Sequence, residues 1–133
     1  MRKGLVVCLI ALGLSTPALA EDWQPVPGDS SAFFDSQYLK VDEQSGLVLM
    51  RYAIGRATGP YASWPKGKSP IMVYALDCAN DAYKDVGLDF EGEGVLPKGW
   101  REEPTQESIG LGVGPAGKTA CERADTLPKV ALP

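Results

Sequence analysis

The pattern of apolar and polar positions along the chain predicts four strands. Segments 37–42 and 82–90 alternate in the way expected for strands that turn one face toward a core. Segments 47–54 and 71–78 are nearly continuous apolar runs, as in strands that are covered on both faces. Gly87 interrupts the last strand and predicts a β-bulge there. Because these strands follow one another without helices between them, we expect an antiparallel meander rather than parallel βαβ units.

Near the C-terminal end the spacing of apolar residues changes to that of a helix. From Val113 onward, apolar residues recur at helical intervals along one narrow stripe. Gly114 suits the N-cap and Pro115 suits the first helical position. On this pattern Lys118 and Thr119 lie on the solvated side. The chain as a whole therefore predicts an α+β fold, with a single antiparallel β-sheet and a short C-terminal helix.

Residues 1–20 have the layout of a secretory signal peptide. A cationic start precedes an apolar run over 5–14, and small residues stand at Ala18 and Ala20. The run is too short to span a membrane, and cleavage is expected after Ala20. We therefore expect an exported protein without a membrane span, in the periplasm, at the cell surface or secreted. Residues 21–133 are long enough for a single domain.

Removal of this leader leaves an acidic chain with two cysteines. Arg2 and Lys3 leave with it, so that 11 basic residues face 17 acidic ones and the net charge is −6. An acidic surface of this kind argues against binding of nucleic acid or of anionic membranes. Cys8 is also removed, and in an oxidising compartment Cys78 and Cys121 are expected to form one disulfide. That bond would tether the C-terminal helix to the strand that ends at Cys78.

Residues 112–119 match the GxxxxGK[ST] pattern of nucleotide-binding P-loops. A P-loop needs a buried strand before its glycines and a helix after them, so that backbone N–H groups converge on the phosphates. The preceding stretch, REEPTQESIGL, is polar and contains a proline, and no apolar strand ending in aspartate follows Thr119. We interpret the match as coincidental, and we expect no nucleotide binding and no cofactor.

The composition removes the commonest catalytic groups. The chain has no histidine, which excludes Ser-His-Asp and Cys-His nucleophile systems, and both remaining thiols are assigned to a disulfide. Asp77, Asp81, Asp85 and Asp89 recur every four residues, but on strands this spacing separates them by roughly 13 Å, too far for one ion. We therefore expect no catalytic residues and no metal site, with an uncharacterised hydrolase as an alternative.

One connection between strands offers a candidate binding site. Within the glycine- and proline-rich segment 55–70, Tyr61 and Trp64 stand beside Lys66 and Lys68. Large aromatic side chains with neighbouring cations are common contact residues in protein interfaces. We take these four residues as a hypothetical site for an unknown protein partner. The alternative is that Trp64 folds back and caps one end of the sheet.

Several short motifs follow one another in a characteristic order: Trp23 to Val26, Phe33-Phe34-Asp35, Leu47 to Tyr52, Tyr74 to Cys78, and Ser108-Ile109 before the final cysteine. This order resembles the surface-adhesin protein E-like domain of Gram-negative bacteria, and the resemblance covers about Trp23 to Cys121. It implies an antiparallel sheet with a C-terminal helix held by a disulfide. It also implies a non-enzymatic protein that binds envelope or host matrix proteins. A periplasmic inhibitor of a lytic enzyme such as lysozyme, which would also be small, disulfide-bonded and β-rich, is the alternative.

Overall fold

A computed structural model describes residues 21–54, 71–88 and 96–133. These residues contribute one sheet and two α-helices, which confirms the predicted α+β fold. The leader 1–20, with its cleavage site, lies outside the described residues. The strands are β1 Trp23–Val26, β2 Asp29–Asp35, β3 Lys40–Asp42, β4 Val48–Ile54, β5 Ile71–Asp77, β6 Ala82–Leu88, β7 Gln106–Glu107 and β8 Lys129–Val130, and the helices are α1 Ile109–Gly112 and α2 Pro115–Glu122, with 3₁₀ turns at Trp100–Glu102 and Ala124–Thr126.

The main path through the sheet is antiparallel and follows the order β1-β2-β4-β5-β6-β7. Between β5 and β6 the register shifts, so that Val73 pairs with Gly87 whereas Tyr74 pairs with Asp85. Gly87 has a φ of +117°, a backbone conformation that residues with side chains rarely adopt. The predicted β-bulge is therefore confirmed, and its position explains the glycine.

Several features differ from the predicted meander. The hairpin of β1 and β2 precedes the four strands that the apolar pattern predicts, and the strand predicted over 37–42 begins only at Lys40. The short strand β3 pairs antiparallel with β4 and parallel with β8, so the C-terminal segment returns to the sheet. The connection predicted over 91–108 holds, in its described part, a 3₁₀ turn and the edge strand β7. Both β7 and β8 are two residues long, and so short an element has no periodicity that a sequence pattern could reveal.

The sheet is covered on both faces, as the continuous apolar runs of β4 and β5 predict. We call the face under α1 and α2 the helix face and the opposite one the tail face. Alternate residues of each strand point to opposite faces, so each strand serves two cores. The helix-face core includes Phe34, Val48, Met50 and Leu76 with Ile109, Val113, Ala116 and Ala120, and the tail-face core contains Tyr38, Leu49, Val73, Ala75, Val86 and Trp100.

Helix α2 begins as predicted, with Gly114 at the N-cap and Pro115 as the first helical residue. The disulfide between Cys78 and Cys121 is confirmed, with 5.6 Å between the two Cα atoms. Thr119 was expected on the solvated side, and this expectation is wrong. Its side chain is buried and its hydroxyl donates to the Pro115 carbonyl at 3.0 Å. Because α2 contacts β1 as well as β2 and β4, the covered part of the helix is wider than its apolar stripe.

An ion pair between the buried Asp42 and the partly exposed Arg101 fixes the C-terminal segment against the tail face. Asp42 is fully buried, and its two carboxylate oxygens accept hydrogen bonds from Nε and Nη2 of Arg101, both at 2.8 Å. The same Nη2 donates to the Leu132 carbonyl at 2.9 Å, and Nε1 of Trp100 donates to the Pro133 carbonyl at 3.0 Å. Residues of the loop after β6 thereby hold the chain end that follows β8.

The Asp42–Arg101 pair predicts a specific loss of stability in acid. Hydrogen bonds from Arg101, and more weakly from Ser45, hold the pKa of the Asp42 carboxyl well below its usual range. A carboxyl whose pKa is lowered by folding stabilises the native state above its unfolded pKa of about 4, and this contribution is lost as the pH falls below that value toward the folded pKa. The free energy of unfolding should therefore decline from about pH 4 downward.

Asp42→Asn should lower the free energy of unfolding at neutral pH. It should also make the decline of this free energy below about pH 4 less steep. The variant removes a charge-assisted hydrogen bond from a buried carboxyl, and we expect a loss on the order of 2 kcal/mol. Urea denaturation followed by circular dichroism between neutral and acidic pH measures both effects. Asp125→Asn, at an exposed position, is the matched control. A decline as steep in Asp42→Asn as in the parent protein would contradict the assignment.

Candidate functional site

The P-loop-like segment 112–119 forms the junction between α1 and α2. Gly112 ends α1, Gly114 caps α2, and Lys118 lies inside α2. The N–H groups of Gly117 and Lys118 both donate to the Gly114 carbonyl, so they point into the helix rather than toward a shared anion position. The strand that precedes the segment is the two-residue edge strand β7 instead of a buried strand. This geometry lacks the phosphate cradle that defines a P-loop.

Both glycines of that motif have a packing role. A Cβ at Gly112 would overlap the ring and hydroxyl of Tyr83, and a Cβ at Gly117 would overlap a methyl group of Ile109. The first contact brings the end of α1 against β6, and the second lets α1 lie against α2. Tight packing of a short helix therefore accounts for the two glycines that make the sequence look like a nucleotide site.

The residues predicted as a binding site, Tyr61, Trp64, Lys66 and Lys68, lie in 55–70 and are outside the described residues. That hypothesis stays a prediction. The described residues offer a different aromatic cluster, which the sequence analysis did not identify.

Three half-buried tyrosines form a connected aromatic cluster on the helix face of the sheet. Tyr52 on β4 and Tyr74 on β5 have ring centroids 6.5 Å apart and an interplanar angle of 59°. Tyr74 and Tyr83 on β6 have centroids 5.8 Å apart and meet edge to face at 79°. Both arrangements are favourable for aromatic pairs. We call these three residues, together with Leu111, the tyrosine surface.

The register of the sheet explains why the three rings meet. Tyr52 pairs with Met72, which is two residues from Tyr74, and Tyr83 pairs with Leu76, also two residues from Tyr74. Each ring is therefore diagonal to the next across a strand pair, a separation that aromatic side chains can bridge. A signal for this cluster exists in the sequence, since one tyrosine occurs at a helix-face position in each of three consecutive strands. The three positions can be recognised as neighbours once the register of the strands is known.

Leu111 extends the tyrosine surface with an exposed aliphatic side chain. The residue is 91% exposed, and it is the one exposed large hydrophobic residue within 21–54, 71–88 and 96–133. It directly precedes Gly112, whose backbone lies against Tyr83. An exposed aliphatic side chain therefore lies on the helix that ends against Tyr83.

Hydrogen bonds at the start of α1 hold Leu111 in place. The Ser108 side chain accepts a hydrogen bond from the Leu111 N–H at 3.3 Å, and Ser108 has a φ of +63°. The Asp81 carboxylate accepts the N–H of Ile109 at 3.1 Å and so ties the helix to the turn between β5 and β6. Because both bonds satisfy N–H groups of the first turn, α1 keeps a defined position although it is short.

Acidic and basic groups both lie near the tyrosines: the Arg123 guanidinium is 5.0 Å from the ring centroid of Phe34, which pairs with Tyr52 across β2 and β4. Burial, and in second place the charge of Asp29, raises the pKa of Tyr52. Asp85 is exposed and pairs with Tyr74 across β5 and β6, so both side chains lie on the helix face. The Tyr74 hydroxyl donates to the sulfur of Met72 at 3.5 Å. The surface therefore combines aromatic faces, hydroxyl groups and nearby carboxylates.

Three of the aspartates that recur every four residues lie in the described part of the chain, and each has a local structural partner. Each one accepts a backbone hydrogen bond: Asp77 from Asn80, Asp81 from Ile109 and Asp85 from Gly87. Within 21–54, 71–88 and 96–133, no three metal-ligating side chains are grouped as an ion site would require. These carboxylates therefore shape turns and the bulge.

No helix in the described part of the chain combines the length and the apolar composition needed to cross a bilayer. Comparison of the chain with known protein families, curated proteins and solved structures finds no match. The resemblance to surface-adhesin protein E-like domains therefore stays a prediction, and the tyrosine surface is the main guide to function.

Gly112→Ala should disturb the tyrosine surface, because the added methyl group overlaps Tyr83. We expect a loss of roughly 1–3 kcal/mol in the free energy of unfolding, as for other overpacked sites, and altered near-ultraviolet circular dichroism of the tyrosines. Gly110→Ala is the matched control, since its Cβ would meet the flexible Lys118 side chain, 3.1 Å from Cε. That variant should be neutral, or stabilised by up to about 1 kcal/mol. Equal behaviour of the two variants would contradict the packing described for Tyr83.

Proposed function

We propose that this chain is an exported, non-enzymatic binding domain that contacts a protein partner through the tyrosine surface. The observations that carry the proposal are the connected rings of Tyr52, Tyr74 and Tyr83 and the exposed Leu111 on α1, the helix that ends against Tyr83. Tyrosine is enriched in protein interfaces because a large ring and a hydroxyl serve apolar and polar contacts at once. The rings stand on three paired strands, so little side-chain freedom would be lost on binding.

The resemblance to surface-adhesin protein E-like domains supports the same class of function, with a partner in the envelope or in the host matrix. An inhibitor of a lytic enzyme would be an exported binding protein too, and it differs in the partner rather than in the kind of site. As an adhesin-like domain or as an inhibitor, the protein would act by non-covalent binding to another protein.

The hydrolase alternative has weaker support. An open depression of about 400 Å³ beside the disulfide includes Asp77, Asp125 and Lys129. Asp77, however, accepts hydrogen bonds from the backbone and side chain of Asn80. Nothing in that depression places a nucleophile against a base, which is the arrangement that covalent or general-base catalysis requires.

Export is supported by the signal-peptide layout and by the Cys78–Cys121 disulfide, a bond that persists in oxidising compartments. Mass spectrometry of the protein recovered from a periplasmic extract should give Glu21 as its first residue. Recovery of the uncleaved chain from the cytoplasm would refute export.

Leu111→Asp should weaken partner binding, because a charge would replace the exposed apolar side chain of the proposed contact. The partner is first captured from envelope and host-matrix extracts, and lysozyme is included as a test protein. The affinity of that partner is then measured with the purified parent protein and its variants. We expect a loss of about tenfold or more for Leu111→Asp. Ala79→Asp adds the same charge in the exposed turn after β5 and should leave the affinity unchanged. Equal affinities of the parent and Leu111→Asp would refute the proposed site.

A further inference from the structure

We propose that the groove between β3 and the 3₁₀ turn at Trp100–Glu102 is a second binding site, which takes an extended peptide segment of a protein partner. Residues 128–133, which form the C-terminal segment, occupy this groove in the structure. The site lies on the tail face of the sheet, opposite the tyrosine surface, so it goes beyond the function proposed above. The way in which the groove holds its occupant carries the inference.

On one side of the groove, β3 binds the C-terminal segment as a neighbouring strand. The Val41 N–H donates to the Pro128 carbonyl and the Glu43 N–H donates to the Val130 carbonyl, both at 2.9 Å. The pairing is parallel and joins only two pairs of residues. Hydrogen bonds of this kind connect main-chain atoms, so they do not depend on the side chains that the bound segment carries.

On the other side of the groove, two side chains of the 3₁₀ turn bind carbonyl groups. Nη2 of Arg101 donates to the Leu132 carbonyl at 2.9 Å, and Nε1 of Trp100 donates to the Pro133 carbonyl at 3.0 Å. Arg101 is oriented by its ion pair with Asp42, and Trp100 is fixed as a member of the tail-face core. Because every peptide has carbonyl groups, these donors recognise an extended main chain rather than one sequence.

Two side chains of the C-terminal segment add selectivity. Leu132 packs against the tail-face core, and Val130, two residues earlier, is half-buried. Lys129 and Ala131, which alternate with them, are exposed. Alternate side chains of a bound strand point to opposite sides, and those that enter pockets determine which segment is accepted. The expected ligand is therefore an extended peptide with two apolar residues separated by one residue of any kind.

The groove offers room that the C-terminal segment does not fill. An open depression of about 390 Å³ lies at Pro133, and it is also bordered by Lys98, Trp100 and Glu102. A partner peptide with one more apolar residue after the position of Pro133 can place that residue against Trp100. This extra contact lets a partner compete with the C-terminal segment, which has the advantage of a high local concentration.

Leu132→Asp tests the groove in the full chain, because it places a charge on the side chain that packs against the core. Ala131→Asp adds the same charge at the neighbouring exposed position and is the matched control. The indole N–H of Trp100 reports occupancy, since its nuclear magnetic resonance signal moves when the Pro133 carbonyl leaves. We expect a displaced signal in Leu132→Asp and a signal at the parent position in Ala131→Asp.

The probe is the capped peptide LPKVALP, which has the sequence of the C-terminal segment and of the leucine before it. In ¹⁵N-labelled Leu132→Asp it should return the signals of the Trp100 indole and of the Val41 and Glu43 amides to their parent positions. It should bind Leu132→Asp at least about tenfold more tightly than Ala131→Asp, whose own segment competes.

Two changes in the peptide test its fit. The peptide that carries the Leu132→Asp change should bind at least about tenfold more weakly, because it loses the buried apolar contact. The longer peptide LPKVALPF should bind about threefold or more tightly, because phenylalanine reaches the depression beside Trp100.

Three results would overturn the inference. They are no binding of LPKVALP to Leu132→Asp with a displaced Trp100 signal, equal affinities for Leu132→Asp and Ala131→Asp, and a Trp100 signal that Leu132→Asp does not displace. Restoration of the signal by unlabelled parent protein alone would identify the occupant as the same segment of a second copy, and would also refute a partner peptide. If circular dichroism shows that Leu132→Asp does not fold, Leu132→Gly serves for the same comparison.

Discussion

The disulfide between Cys78 and Cys121 is the constraint on which the helix layer depends. Helix α2 turns Ala116 and Ala120 toward the sheet, and alanine offers little apolar area to bury. A helix of eight residues does not persist alone in water. The bond joins residues 43 positions apart and removes much of the freedom of the unfolded chain. Helix α1 packs on α2 at Gly117, so the position of Leu111 depends on the same bond.

The two layers that cover the sheet are fixed by different means. The helix layer relies on a covalent bond, whereas the C-terminal segment on the tail face is held by the ion pair of Asp42 and Arg101 and by the pairing of β3 with β8. Release of one layer therefore need not release the other. The tyrosine surface lies where the helix layer meets β6, at the contact between Gly112 and Tyr83.

Long elements of this fold follow from local patterns, and contacts between distant residues do not. The apolar runs of β4 and β5, the bulge at Gly87 and the start of α2 at Pro115 were all predicted, because each depends on neighbouring residues. The strand β8 forms through its pairing with β3, and the tyrosine surface forms through the register of three strands, so neither is visible in a linear pattern. The P-loop match shows the converse case, in which packing against Tyr83 and Ile109 explains a pattern that suggests catalysis.

Hydrogen exchange of the oxidised and reduced protein tests most directly whether the disulfide holds the helix layer. Reduction, or Cys121→Ser, should remove amide protection from residues 109–122 while β4, β5 and the β3–β8 pairing keep theirs. The oxidised protein in the same buffer is the reference. Full protection of α1 and α2 after reduction would contradict this account, as would a uniform loss of protection across the sheet and the helices.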